Sequence, residues 1–275
     1  MLRKGDLTQG GITGTLLHFT LPMMVGSFLQ QCYNIADTLI VGQCIGAGAL
    51  AAVGSAYTLM VFLISVLLGL AMGSGTVFSL HYGAGNHVAL RRSIFSSFVL
   101  IGIVTLILNV AVFIWLDPIL RLLQVPQDIY GMMRSYLWII FCGIVFTFIY
   151  NFYASLLRAV GDSVTPLWFL AVSVVLNIAL DLFFILQLDW GIQGAAAATV
   201  LAQGVAALGI IIYTYRRRPE LRWHHEDMCF DRTCLKEIAS FSTLTCIQQS
   251  VMNLGILMVQ GLVNSFGTAV MADFA

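Results

Sequence analysis

Asp37, Tyr136, Asn177, Asp181 and Thr199 are polar side chains set in apolar surroundings, and their types suit the holding of a cation. Asp37 is the sole carboxylate in LPMMVGSFLQQCYNIADTLIVGQCIGAGALAA, residues 21–52. Asp181 is a second isolated acid, in SVVLNIALDLFFILQLD. Asn177 precedes it by one helical turn, so the amide and the acid share a helix face. Thr199 lies in GIQGAAAATVLAQG, among alanines that let other helices approach, and Tyr136 opens another apolar run. Carboxylate, amide, hydroxyl and phenol oxygens are hard ligands. They suit Na⁺, or a proton shared between two acids. An acid inside a segment apolar enough to span a bilayer marks a functional site by default, because placing it there is costly.

These residues lie on separate stretches, so the elements that carry them must converge. The 275 residues are 59% hydrophobic and 9% charged, with a mean hydropathy of +0.92. A soluble domain is about 25% charged, so the composition is that of an all-α polytopic membrane protein. A span needs about 20 apolar residues. Seven stretches qualify: 15–42, 50–80, 93–116, 131–156, 164–187, 191–215 and 238–264. Pro22 gives the first a site for a helix bend. Small residues recur at four-residue spacing, in Gly42 and Gly46 and in Ser65, Gly69 and Gly73, which suits close helix contact.

The connections set an orientation. Of the 13 Lys and Arg, all but Arg121 and Arg134 fall on the side that holds the N-terminus. Positive-inside bias puts that side in the cytoplasm, and Trp115, Trp138 and Trp190 fall near span ends, as interfacial side chains do. Arg216, Arg217 and Arg218 serve this topology and can meet anionic lipid. A formal net charge of zero gives no basis for a nucleic-acid partner. The long polar loop after the sixth span is a joint. Gln248-Gln249 stands to the last span as Gln30-Gln31 stands to the first. This self-similarity suggests a repeated unit. The expected organisation is a six-helix N-terminal lobe at 1–215, a cytoplasmic inter-lobe linker at 216–237, and at 238–275 the first helix of an incomplete second lobe.

Other motifs carry less. His224, His225, Cys229 and Cys234 lie in the basic linker, with no patterning that would bring them together as metal ligands. YGAGN lacks the strand–helix setting of a nucleotide loop. No nucleophile and base occur in a catalytic pattern, so the sequence does not read as an enzyme. The methionines Met23, Met24, Met60 and Met72 suit packing or an adaptable substrate pocket.

The chain resembles the MATE (multidrug and toxic compound extrusion) family over all its residues. The resemblance rests on LTQGGITGTLLHFTLPMM, NIADTLIVGQCIGAGALAAVG, YGAGN, LLRAVGDSVTP and NIALD. It implies that Asp37 is the cation-coupling acid of the N-lobe, with Asn177, Asp181, Thr199 and Tyr136 around it. Na⁺, if it is the coupling ion, would sit at Asp37, Asn177, Asp181 and Thr199. Gln248, Gln249, Met252 and Asn253 stand where some members carry a C-lobe glutamate, which favours the branch coupled through the N-lobe, DinF-like rather than NorM-like. Phe241-Ser242-Thr243 replaces a usual Gly-Leu-Pro, and Asp273 stands at a usually small position. The implied activity is Na⁺- or H⁺-coupled antiport of a small amphipathic, cationic substrate across the cytoplasmic membrane, with no cofactor. A lipid-linked saccharide flippase of similar architecture is the alternative. So is a non-transporting fragment, since the five further spans of the family pattern are absent from this chain.

Overall fold

The computed structural model describes residues 12–223 and 232–266. Within them every regular element is helical. They are α1 (Ile12–Cys44), α2 (Ala47–Gly83), α3 (His87–Leu122), α4 (Gln127–Cys142), α5 (Ile144–Ala159), α6 (Val164–Leu182), α7 (Gly191–Arg217) and α8 (Arg232–Asn264). A π-helical turn, Phe183–Gln187, follows α6, and a 3-10 turn, Pro219–Leu221, follows α7. In a bilayer core there is no water to satisfy a free backbone N–H or C=O, so apolar stretches of this length bond internally as helices. The molecule is a multi-pass membrane protein.

The bundle is arranged around α2 and α7. α2 packs on α1, α3, α4, α5 and α8, while α7 packs on α4, α5 and α6. Phe78, Phe141 and Phe152 are among the largest fully buried side chains, and Leu59, Leu90 and Ile101 are buried in the same core. The four-residue spacing on α2 serves the contact with α8. A Cβ on Gly69 would collide with the Cα of Cys246, and one on Gly73 with the Cα of Ser242. The two backbones touch there, which only glycine permits.

Three expectations change. The stretch 131–156 is two helices, α4 and α5, bent by 49° at Gly143. The Val200 side chain of α7 occupies the place of a Cβ at Gly143, 2.5 Å away. Asn109 of α3 donates to the Phe141 carbonyl at the break (2.6 Å), so the bend is stabilised from a neighbouring helix. Secondly, five helices and the α4–α5 pair are long and apolar enough to cross a membrane, but α1 is not among them despite its 33 residues. Ser27, Gln31, Asn34 and Thr38 fall on one side of α1, and Tyr33 and Asp37 add further polarity. Thirdly, α8 starts at Arg232, so the end of the expected linker is already helical. Pro22 lies inside α1, which continues through it as one helix. Arg3, Lys4, His224, His225, Cys229 and Asp273 lie outside the described residues.

Candidate functional site

α1, α6, α7 and α4 bring their polar residues to one place. Tyr33 and Asp37 are one turn apart on the inner face of α1, and Asn177 and Asp181 stand likewise on α6. Asp37 is 8% exposed, Asp181 0%, Asn177 1% and Thr199 4%. The Asp37 and Asp181 carboxyl groups are close enough to interact electrostatically, and no hydrogen bond joins them. Thr199 on α7 links the two helices: its Oγ1 accepts from Asn177 Nδ2 at 3.3 Å and pairs with the Tyr33 hydroxyl at 3.3 Å. Tyr136, buried on α4, lies close enough to interact electrostatically with Asp37, Tyr33 and Asp181.

The hydrogen bonding is incomplete in one respect. Among the described residues, Asp37 Oδ1, Asn177 Oδ1 and both carboxyl oxygens of Asp181 meet no donor. Buried polar atoms nearly always have a partner, because leaving one unpaired costs about 1–3 kcal/mol, and more for a charged group. Two adjacent carboxylates without donors repel one another in a low-dielectric interior. A proton bridging them, or a cation between them, removes that repulsion. The oxygens available are two acids, an amide carbonyl and hydroxyls, a hard donor set that fits Na⁺ or H⁺.

All five polar residues picked out in the sequence therefore meet, and Pro22 lies apart from them on α1. Tyr33 is the residue that sequence reasoning missed. Its signal was present, since it stands one turn before Asp37, but a tyrosine in a membrane span has many ordinary explanations. Of the methionines Met23, Met24, Met60 and Met72, Met60 shares a crevice with Thr199. With Ile64, Phe141, Thr147, Thr199 and Gln203 it lines this narrow crevice between α2, α4, α5 and α7. Thr147 donates to Gln203 across it.

The α5–α6 turn, which carries part of LLRAVGDSVTP, holds α6 in position. Asp162 accepts from Thr165 N (3.1 Å) and Thr165 Oγ1 (2.9 Å), satisfying the start of the helix. Arg218, just beyond α7, reaches Asp162 and Glu220, each at 3.4 Å. Partial burial disfavours the Arg218 charge, but the Asp162 and Glu220 carboxylates outweigh it and hold the guanidinium above its ordinary pKa range. The ends of α6 and α7 nearest this turn are thus joined by an ion pair. Asn177 and Asp181 lie further along α6, and Thr199 further up α7.

Residues 22–183 match the MatE family model. A probable multidrug resistance protein of Bacillus subtilis (strain 168), YpnP, is 33% identical over 280 residues, covering 99% of this chain and 61% of that protein. The multidrug export protein MepA of Staphylococcus saprophyticus is 31% identical over 210 residues, 74% of this chain and 45% of its own length. A solved outward-facing conformation of a multidrug resistance MATE family transporter of the MOP superfamily superposes with a TM-score of 0.86 at 24% identity, over 92% of this chain and 57% of that one. This chain thus spans less than two thirds of the length of these relatives.

Proposed function

This chain belongs to the MATE family, whose members are transporters and not enzymes, and from that premise we propose that it forms the ion-coupling lobe of a cation-driven efflux antiporter. The observation that carries the reading is the buried Asp37–Asp181 pair with its unpartnered oxygens, ringed by Tyr33, Asn177 and Thr199. The coupling ion is Na⁺ or H⁺, and no other cofactor takes part. The substrate is a small, amphipathic, cationic molecule, in keeping with the multidrug export names of the relatives. The membrane is the cytoplasmic membrane, with the N-terminus inside, as the arginine-rich connections suggest. The domains are the six-span lobe to about residue 215, the linker, and α8 as the opening helix of a second lobe. The absence of an acid at Gln248, Gln249, Met252 and Asn253 favours coupling through the N-lobe alone, as in the DinF-like branch.

The mechanism follows from the geometry. An ion or proton between Asp37 and Asp181 relieves their repulsion and draws α1 towards α6 and α7, where Tyr33 is already tied to Thr199. Its loss restores the repulsion and loosens α1, which lacks one internal hydrogen bond at Pro22 and can bend there. Substrate favours one arrangement and the ion the other, so each displaces its competitor through one two-state element. Export by alternating access requires a second lobe to move against. Ion binding needs only α1, α6 and α7, and is expected of this chain by itself.

The test is equilibrium ²²Na⁺ binding and proton release on purified chain in nanodiscs, wild type beside Asp37→Asn, with drug efflux from proteoliposomes of a two-lobed transporter that carries this lobe as the transport readout. Unchanged ion binding in Asp37→Asn would sink the coupling assignment. Unchanged binding together with ordinary efflux would sink the mechanism as a whole.

A further inference from the structure

The contact between α2 and α8 has two unlike halves. In the half near the start of α8 the backbones touch, at Gly69 against Cys246 and at Gly73 against Ser242, where Ser242 Oγ also donates to the Leu70 carbonyl (3.2 Å). Beyond it, His81 Nε2 and Glu237 Oε2 lie 3.3 Å apart. In the other half the contact is a sealed polar network. Gln260 Nε2 donates to Ser55 Oγ and to Asn264 Oδ1, both at 2.9 Å, and Gln260 Oε1 accepts from Thr58 Oγ1 at 3.2 Å. Ser55 Oγ donates to Asn264 Oδ1 at 3.1 Å. Asn264 Nδ2 closes the network on the Leu123 carbonyl, at the end of α3, at 2.9 Å. All four side chains are buried, and none of their polar atoms is without a partner among the described residues.

These halves differ mechanically. Two helix backbones in direct contact over glycine have no side chain between them to repack, so they can pivot but not part gradually. A network of hydroxyls and amides at the end of a span can open, because water entering there replaces each bond it breaks. We propose that Ser55, Thr58, Gln260, Asn264 and the Leu123 carbonyl form an outer latch that holds α8 against the six-span lobe, with Gly69 and Gly73 as its pivot. The proposal rests on the orientation given under Proposed function, which puts the Asn264 end of α8 outside the cell. Opening the latch swings that end of α8 off α2 and the end of α3, and gives access from the outside while the Gly69–Gly73 contact stays closed. The latch contains no charge, so it responds to movement of the helices and not to the coupling ion directly.

The test uses the full chain in right-side-out and inside-out membrane vesicles, in two single-cysteine forms. One keeps Cys246 at the pivot. The other carries Val263→Cys, on the half-buried side of α8 beside the latch, and in each form all other native cysteines are replaced by serine. The readout is the rate of labelling by membrane-impermeant methanethiosulfonate ethyltrimethylammonium. Gln260→Leu, which keeps the volume and removes three hydrogen bonds, is expected to speed outside labelling of Val263→Cys at least about fivefold and leave Cys246 unchanged. Ser55→Ala, a milder change, gives a smaller rise of the same pattern if the leucine variant does not insert. Unchanged labelling at Val263→Cys in both variants overturns the latch. Equal rises at both reporters overturn it too, since α8 would then be detaching as a whole. A rise seen only from the cytoplasmic side overturns the outer assignment and the orientation with it. The readout is thiol access and not transport, so a lack of efflux counts against the transport reading alone.

Discussion

The Tyr33 hydroxyl on α1 meets Thr199 Oγ1 on α7 at 3.3 Å, one turn away from the Asp37 carboxyl that faces Asp181. This pairing ties the helix that carries Asp37 to the helix that closes the ion site. Because Thr199 also accepts from Asn177, one hydroxyl connects three helices.

Removing the phenol should separate ion affinity from folding. Tyr33→Phe keeps the ring and its packing and deletes one hydrogen bond, worth about 0.5–1.5 kcal/mol. Ion affinity is expected to fall about three- to tenfold, with the unfolding temperature nearly unchanged. Thr199→Val leaves both Tyr33 and Asn177 without a partner and should cost more. In a double-mutant cycle the two changes should be non-additive, because they break the same bond. Equilibrium ²²Na⁺ binding or pH titration of proton uptake measures both.

Neutralising one acid should stabilise the ion-free protein. Asp181→Asn removes the repulsion with Asp37 and supplies an N–H donor to it. The unfolding temperature without ion is expected to rise. The stabilisation that saturating ion gives wild type, about 2.7 kcal/mol at a concentration 100 times the Kd, should vanish in the variant. Differential scanning fluorimetry with and without Na⁺, at several pH values, decides it. A variant that remained as ion-responsive as wild type would contradict the site.

At Gly143 the expected effect is steric. A methyl added there meets the Val200 side chain at 2.5 Å. Gly143→Ala is expected to destabilise by about 1–3 kcal/mol, the usual range for overpacking. Val200→Ala in the same chain should recover much of it by vacating that space. Thermal unfolding of the single and double variants is the measurement.

Asp162→Ala takes away the acceptor for Thr165 N and Oγ1 and one of the two carboxylates beside Arg218. The loss is expected to be about 1–3 kcal/mol, since a helix cap alone is worth about 1 kcal/mol and Arg218 is largely shielded from water. Asp162→Asn, which can still accept from Thr165, should fall between wild type and the alanine variant. Chemical unfolding in detergent would rank the three.

Much of the site could be read from residue type and spacing. Asn177 and Asp181 share a face by helical period alone, and an acid in the setting of Asp37 has few ordinary roles. Gly69 and Gly73 were recognisable as a helix contact, although nothing in their spacing names α8 as the partner. Tyr33 escaped because aromatic residues are common in membrane spans. The bend at Gly143 escaped because its cause lies in Val200 and Asn109, which come from other helices. The greater polarity of α1 follows from its composition, with Ser27, Gln31, Asn34 and Thr38 added to Tyr33 and Asp37. Asn34 donates to Gln31 on its own helix (3.1 Å) and to Tyr57 of α2 (3.1 Å), and the second bond requires α2 to be beside it.

The sequence by itself determined the helices and their apolar character, because a backbone out of reach of water must bond within its own segment. It also determined which residues would be costly to bury. Only the tertiary structure decided that these costs fall in one place, with Asp37 opposite Asp181 and Thr199 between Tyr33 and Asn177. Helical period places residues on a face but does not say which helix that face meets. That depends on packing, on glycine contacts such as Gly73 with Ser242, and on the bend at Gly143, and each of these joins residues far apart in the chain.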